Sequence, residues 1–269
     1  MAPRLLHQTD APAGGGTSCA AEAPAADMWQ QLRREARATC VAEPALRAFV
    51  AETVLASPDF FTALAHLLTR KLSAPALPAA LWQECFDTAR ALNPGIAAAA
   101  QEDLSAVLAR DPAAENALVP FLCYKGFHAL QCHRAGHALW AAGQRLSARM
   151  LQSRVSEVFA VDIHPAVAVG RRVFIDHGTG IVIGQTAAIG DDVSILHQVT
   201  LGGTGKERGD RHPKVGDGAL LCVGATVLGN VEIGQGVKVG AGSVVLRPVP
   251  PGATVVGVPA RSIEGNAEA

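Results

Sequence analysis

From Val161 to Val245 the aliphatic residues return every six positions, and this period decides what the chain can fold into. One series runs Ile163, Val169, Ile175, slips by two residues, and resumes at Ile183, Ile189, Ile195 and Leu201. It then breaks off and returns at Val215, Leu221, Val227, Ile233, Val239 and Val245. A second series, four residues on, takes Val167, Val173, Ala187, Val193, Val199, Ala219, Ala225, Val231 and Val237. An α-helix cannot hold a six-residue stripe on one side, and a hairpin meander would alternate with period two. Six residues per flat face, with a turn after each, gives a three-sided parallel β-helix of about 18 residues per coil. The aliphatics are expected to point inward at the corners and stack coil on coil, with glycines serving the turns. Such a coil cannot cover its own ends. The preceding segment and the Pro-rich stretch 249–263 are expected to cap it.

Upstream the texture is different. From Met28 to Glu157 the chain is rich in Ala and Leu at helical spacing, broken at Pro44, Ser57-Pro58, Pro75 to Pro78, Asn93-Pro94-Gly95 and Asp111-Pro112. Ser57 and Asp111, each followed by Pro, read as helix N-caps. The expected organisation is a disordered tail over 1–27, an α-helical domain over 28–157, a β-helix over 158–263 and a short tail over 264–269. Residues 1–27 lack the apolar core of a signal peptide and carry Asp10, Glu22 and Asp27, unlike most transit peptides. Organelle import stays a minor alternative to a cytoplasmic location.

Composition narrows the function. With 23 basic and 24 acidic side chains the net charge is −1, so no field of one sign would draw nucleic acid or an anionic membrane. Aromatics are 4% of the chain, too few for base-stacking platforms. No apolar run is long enough to span a bilayer. The six cysteines form no CxxC pair and read as reduced thiols of a cytosolic protein.

The break in the six-residue period leaves Gly202 to Lys214 as a loop extruded from one corner, where solenoids carry functional groups. It is not a phosphate loop, because Glu207 follows Lys206 where Ser or Thr is needed. His66, His128, His133 and His137 lie in helical text and read as packing or exposed residues; His7 lies in the tail. His164, His177, His197 and His212 fall in the β-helix without a compact metal pattern, so no metal is expected, and a zinc site would need ligands from several coils. Asp162 and His177 are 15 residues apart, a little less than one coil, and can lie close together on neighbouring coils. A carboxylate beside an imidazole fixes its tautomer and stabilises the imidazolium formed when it takes a proton. Asp176 adds a second carboxylate, and Arg211-His212 sits on the extruded loop.

These segments resemble the serine O-acetyltransferase family of hexapeptide-repeat acyltransferases. The resemblance is carried by Val161-Asp162-Ile163-His164-Pro165, Asp176-His177-Gly178-Thr179-Gly180-Ile181, Val199-Thr200-Leu201-Gly202-Gly203-Thr204-Gly205-Lys206 and Gly209-Asp210-Arg211-His212-Pro213-Lys214. Upstream it includes Arg110-Asp111-Pro112-Ala113 and Lys125-Gly126-Phe127-His128-Ala129-Leu130-Gln131, and it spans about residues 30 to 263. It implies an α+β chain: a helical N-terminal domain followed by a left-handed parallel β-helix of hexapeptide repeats. It also implies transfer of acetyl from acetyl-CoA to the hydroxyl of L-serine, the first step from serine to cysteine.

The resemblance makes His177 the general base and Asp162 its orienting partner. Arg211 and His212 take the amino-acid carboxylate, and Asp111 and Asp176 its ammonium. Gly203, Val223, Gly224, Lys238 and Ala241 match the coenzyme A groove. Backbone N–H groups at Gly203 to Gly205 are candidate oxyanion donors. Cys222-Val223-Gly224 departs from the family's usual Gly-Ala-Gly and adds bulk along that groove. The family's β-helix trimerises with sites between subunits, and its helical domain commonly joins two trimers. L-Cysteine is expected as feedback inhibitor. Many relatives end in an Ile that inserts into cysteine synthase; this chain ends Gly265-Asn266-Ala267-Glu268-Ala269, so that partnership is doubtful. The competing readings are a hexapeptide acetyltransferase for homoserine or a sugar, a zinc hydratase of the same fold, and a non-catalytic scaffold.

Overall fold

The computed structural model describes residues 25–206 and 208–263. The expected tails, 264–269 and most of 1–27, lie outside the described residues. The first helix, α1 (Ala25–Ala42), already begins inside the segment assigned to the tail. After a 3₁₀ turn (Pro44–Leu46) come α2 (Arg47–Val50), which runs into a π-helical turn (Ala51–Leu55), α3 (Phe60–Leu72), α4 (Ala79–Leu92), α5 (Ile96–Arg110), α6 (Leu118–Cys123), α7 (Lys125–Ala141) and α8 (Arg145–Phe159).

The breaks fall where Pro and Gly placed them, but two caps differ from expectation. Asp59, not Ser57, caps α3, its carboxylate accepting from Thr62 N at 2.9 Å. Ser57 instead donates back to Thr53 O at the end of the π-helical turn. Asp111 is the C-cap of α5, and its carboxylate accepts from Ala113 N in the turn that follows. In both cases the Pro opens a turn rather than a helix.

α8 ends at Ala160 in the left-handed conformation, φ 56°, and the chain enters the β-helix directly. Its strands are β1 (Val161–Ile163), β2 (Ala168–Val169), β3 (Phe174–Ile175), β4 (Ile181–Ile183), β5 (Ala188–Ile189), β6 (Ser194–Ile195), β7 (Thr200–Gly202), β8 (Lys214–Val215), β9 (Leu220–Leu221), β10 (Thr226–Leu228), β11 (Glu232–Ile233), β12 (Lys238–Val239), β13 (Val244–Val245), β14 (Thr254–Val256) and β15 (Arg261–Ile263). They stack as three parallel faces. The first face is β1-β4-β7-β10-β13, the second β2-β5-β8-β11, and the third β3-β6-β9-β12-β14, which β15 closes antiparallel.

Both aliphatic series are buried, from Val167 and Ile195 at 0% exposure to Val231 at 8%, except Val169, which is half-buried. The first series lies on the strands, not at the corners; turn residues such as Pro165-Ala166 occupy the corners. A flat strand turns one side chain in two inward, and the second series adds a buried side chain at the residue just before each of nine strands.

The register exposes two departures from a uniform coil. Partners are 18 residues apart from Ile183 to Leu201 and from Val227 to Val245. They are 20 apart from Ile163 to Ile183 and 26 apart from Leu201 to Val227. In the first coil Asp176 N bonds to Ile195 O and Gln198 N bonds to Thr179 O, so the two extra residues are His177 and Gly178, a bulge at the corner between the third and first faces. The second departure is the extruded loop after β7.

The helical domain is latched to the first coil through a buried carboxylate. Asp103 on α5 is fully buried and accepts from Arg134 at 2.8 and 2.9 Å, from Gln131 at 2.9 Å and from Val173 N at 3.0 Å. Arg134 also donates to Val169 O and Gly170 O. Gly126 permits the close seating of α7, because a Cβ there would lie 2.2 Å from Ile175 O. This latch sets the end of α5 and the start of α7 against the His177 bulge.

Candidate active site

Two groups of side chains emerge, at opposite edges of the first face. The first lines a cleft of about 310 Å³ between the helical domain and the bulge, formed by Asp111, Ala113, Cys123, Tyr124, Lys125, Gly126, Asp176 and His177. His177 is held at φ 56° on the bulge, and its side chain is 72% exposed. Its Nε2 is 3.7 Å from Asp176 Oδ1, and its ring meets His197 edge-on at 5.5 Å. Lys125 donates to Thr179 Oγ1. Burial, then a hydrogen bond to Asp111 and the charges of Asp111 and Asp176, push the Tyr124 hydroxyl above its usual value. Two carboxylates, a tyrosine and an imidazole thus share one cleft, a setting with the chemistry to hold an ammonium group and to receive a proton beside it.

From this cleft the same corner runs along the β-helix as a column. Gly224 N bonds to His197 O, and Gly242 N to Val223 O, so His197, Val223-Gly224 and Ala241-Gly242 sit one above another beyond His177. At one strand spacing per coil, the column from His177 to Ala241 is about 14 Å long. Lys238 lies on the adjoining third face, close enough to Cys222 to act on its thiol, although burial dominates and raises it. Gly203 is not on this column. It lies at the corner between the first and second faces, against Arg211.

That corner carries the second group. Asp162 on β1 accepts from Gln152 Nε2 at 2.6 Å, and Arg149 donates to Gln152 Oε1. His164 follows; burial, then the Arg149 charge, lower it to about 4 against the pull of Asp162, and Ala166 N donates to its Nδ1. Arg211 and His212 leave the extruded loop beside Gln185 and Thr186. Burial, then Arg211 and Lys214, lower His212.

The expected closeness of Asp162 and His177 is therefore not met within one chain. Among the described residues no hydrogen bond or ion pair joins them. Asp162 pairs in register with Val182, so the width of a face separates it from the bulge. Fifteen residues fall short of the 20-residue first coil by most of one face, and "nearly one coil" is not "adjacent".

Sequence reasoning assigned no role to Tyr124, Lys125, Gln152 or Thr186. Tyr124 is the only tyrosine in the chain, and it adjoins a segment already read as characteristic. Gln152 carried no signal, because it reaches Asp162 from a separate helix. Among the described residues no group of three or more His, Cys, Asp and Glu side chains is arranged to hold a metal ion, and no helix is long and apolar enough to cross a membrane.

Comparison with known proteins agrees with this architecture. The family pattern for the N-terminal region of serine acetyltransferase matches residues 28–132, and that for the bacterial transferase hexapeptide repeat matches 212–247. The serine acetyltransferase of Salmonella typhimurium is 50% identical over 236 residues, covering 88% of this chain and 86% of that protein. A serine acetyltransferase solved in complex with cysteine superposes with a TM-score of 0.88 at 47% identity, over 91% of this chain and 95% of that one. The Brucella abortus enzyme in complex with coenzyme A gives 0.86 at 46% identity over 88% and 95%. The Neisseria gonorrhoeae enzyme in complex with serine gives 0.85 at 46% identity over 87% and 97%. With half its residues shared with the Salmonella typhimurium enzyme over 88% of the chain, and with both family patterns matched, this chain belongs to the serine acetyltransferase family.

Proposed function

We infer that this chain transfers the acetyl group of acetyl-CoA to the hydroxyl of L-serine, and that each complete site forms between adjacent copies of a trimer. The observation that carries this reading is the separation of the two side-chain groups across one face. The cleft of Asp111, Asp176 and His177 and the group of Asp162, Arg211 and His212 are each half of an amino-acid site. Between them the first face presents Val182, Thr200, Thr226 and Val244 outward, without charge, a surface suited to packing against a second copy.

In the composite site Asp111 and Asp176 hold the serine ammonium. The partner subunit's Arg211 grips the carboxylate with two parallel hydrogen bonds, and the partner's His212 adds a third. The acyl carrier lies along the corner column of Val223, Gly224 and Ala241, with Lys238 beside it, and its thioester reaches the bulge. Gly203 approaches from the partner's loop. His177 takes the proton from serine Oγ as the oxygen attacks the thioester carbonyl. The tetrahedral oxyanion collapses, the C–S bond breaks, and the imidazolium returns the proton to the departing thiolate. The partner subunit's Asp162, steadied by its Gln152, stabilises that imidazolium. A base so placed contributes roughly 100- to 10,000-fold. The described cysteines are all free, which suits a reducing compartment such as the cytoplasm.

The test is release of the coenzyme A thiol from acetyl-CoA with L-serine, L-homoserine or an amino sugar as acceptor, each product identified by mass. O-Acetyl-L-serine as the dominant product is expected. Faster turnover of homoserine or a sugar would replace the acceptor assigned here.

A further inference from the structure

The hydrogen bonds around His212 fix which of its ring nitrogens keeps a lone pair. Thr186 Oγ1 accepts from the backbone N–H of Arg211 at 3.0 Å and of His212 at 3.1 Å. A hydroxyl has two acceptor sites and one proton to give. With both acceptor sites occupied, its O–H is left to donate, and two acceptors are within reach: His212 Nδ1 at 2.8 Å and the Asp210 carboxylate. The Thr186 backbone N–H points at the same nitrogen at 3.2 Å. A backbone N–H can only donate, so Nδ1 must carry a lone pair and the ring proton must sit on Nε2. Among the described residues Nε2 has no hydrogen-bond partner.

The surroundings hold the ring in this pose. A Cβ at Gly184 would lie 2.0 Å from His212 Cδ2 and Nε2, so the imidazole lies flat over a residue with no side chain. The Lys214 ammonium donates to Thr186 O, His212 O and Asp210, with Asn230 Oδ1 also within 3.2 Å, tying the base of the loop to the strand beneath it.

We propose that Thr186 is a positioning residue that locks His212 as the Nε2–H tautomer, so that His212 meets the amino-acid carboxylate as an uncharged hydrogen-bond donor while Arg211 alone supplies the charge. The proposal rests on the assignment of His212 to the carboxylate. The charged and titratable neighbours agree with a neutral ring. Arg211 and Lys214 on its own loop and His164 on the turn after β1 disfavour a second proton; only Asp210 favours one. A neutral donor keeps carboxylate binding insensitive to pH through the range where an ordinary histidine titrates.

The direct test is solid-state NMR of the sedimented full-length protein labelled with ¹⁵N-histidine, with His212 identified by its absence in His212→Asn. The expected signature is a protonated Nε2 and a bare Nδ1, persisting below the ordinary histidine range. A protonated Nδ1, or uptake of the second proton at the ordinary histidine value, overturns the lock. Kinetics supply the second readout. Thr186→Val removes the hydroxyl at nearly constant shape and is expected to raise the serine KM about tenfold with little change in kcat. It should also make that KM depend on pH near the ordinary histidine value. Thr186→Ser is expected to restore both. A Thr186→Val enzyme with unchanged, pH-independent KM overturns the positioning role. If His212→Asn leaves the serine KM unchanged while the NMR signature stands, the carboxylate assignment is what fails.

Discussion

If each site draws on two copies, inactive variants of different halves must repair one another. His177→Ala removes the proposed base and is expected to cost at least about 100-fold in turnover. Arg211→Ala removes the carboxylate grip and should be comparably damaging at limiting serine. Neither side chain supports the buried core: His177 is 72% exposed, and among the described residues Arg211 bonds only to Gly209 O and Gln185 besides its backbone anchor. In a cyclic assembly with head-to-tail contacts, a working site needs an intact His177 from one copy and an intact Arg211 from the next. Equal random mixing of the two variants meets both conditions in about one quarter of sites, so the mixture should recover about 25% of wild-type turnover from two nearly dead parents. A second mixture sharpens the test. Wild type mixed equally with the double variant His177→Ala/Arg211→Ala should retain about one quarter of full activity if sites are shared, but about one half if each lies within one chain. The assay is thiol release at saturating acetyl-CoA after co-refolding, with assembly checked by mass. No recovery in the first mixture together with one half in the second would refute the shared site.

Three further outcomes follow from single features. His128 and His133 are buried and lowered to about 3, chiefly by burial, so the unfolded chain binds protons below about 6.5 that the folded chain refuses. Their stabilisation is complete above that value and is lost as pH falls; urea unfolding should show a decrease of about 2 kcal/mol for each between about pH 7 and pH 5, and a flat profile would exclude the effect. Gly126→Ala forces a Cβ against Ile175 O and should cost about 1–3 kcal/mol in denaturant unfolding, with a loss of turnover as the Tyr124-Lys125 edge of the cleft is displaced. L-Cysteine carries the same ammonium and carboxylate as serine, so it should inhibit competitively against serine; inhibition that persists at saturating serine would point to a separate site.

The β-helix was readable because every coil buries aliphatics at the same phase, and the two interruptions could be counted along the chain before any coordinates. What the count could not give was position across a face. Asp162 and His177 look adjacent when distance is measured in residues, yet strand register sets Asp162 beside Val182, across the face from the bulge. The helix caps failed for a related reason. Asp before Pro suits an N-cap, but Asp111 ends α5 because the following residues form a turn against the first coil instead of a new helix. Gln152 and Thr186 act through tertiary contacts of long sequence separation, so nothing near them in the chain announced their partners.

The His177-Gly178 bulge separates what holds the molecule up from the side chain proposed to make it react. The strands on either side keep their register as if those two residues were absent: Phe174 and Ile175 still pair with Ser194 and Ile195, and Ile181 still pairs with Val161. The imidazole assigned as the base is therefore an insertion into a self-sufficient spring, not one of its turns. Excising the pair would return the first coil to the common repeat length and relieve a left-handed backbone at a non-glycine residue, giving a more regular and catalytically silent solenoid.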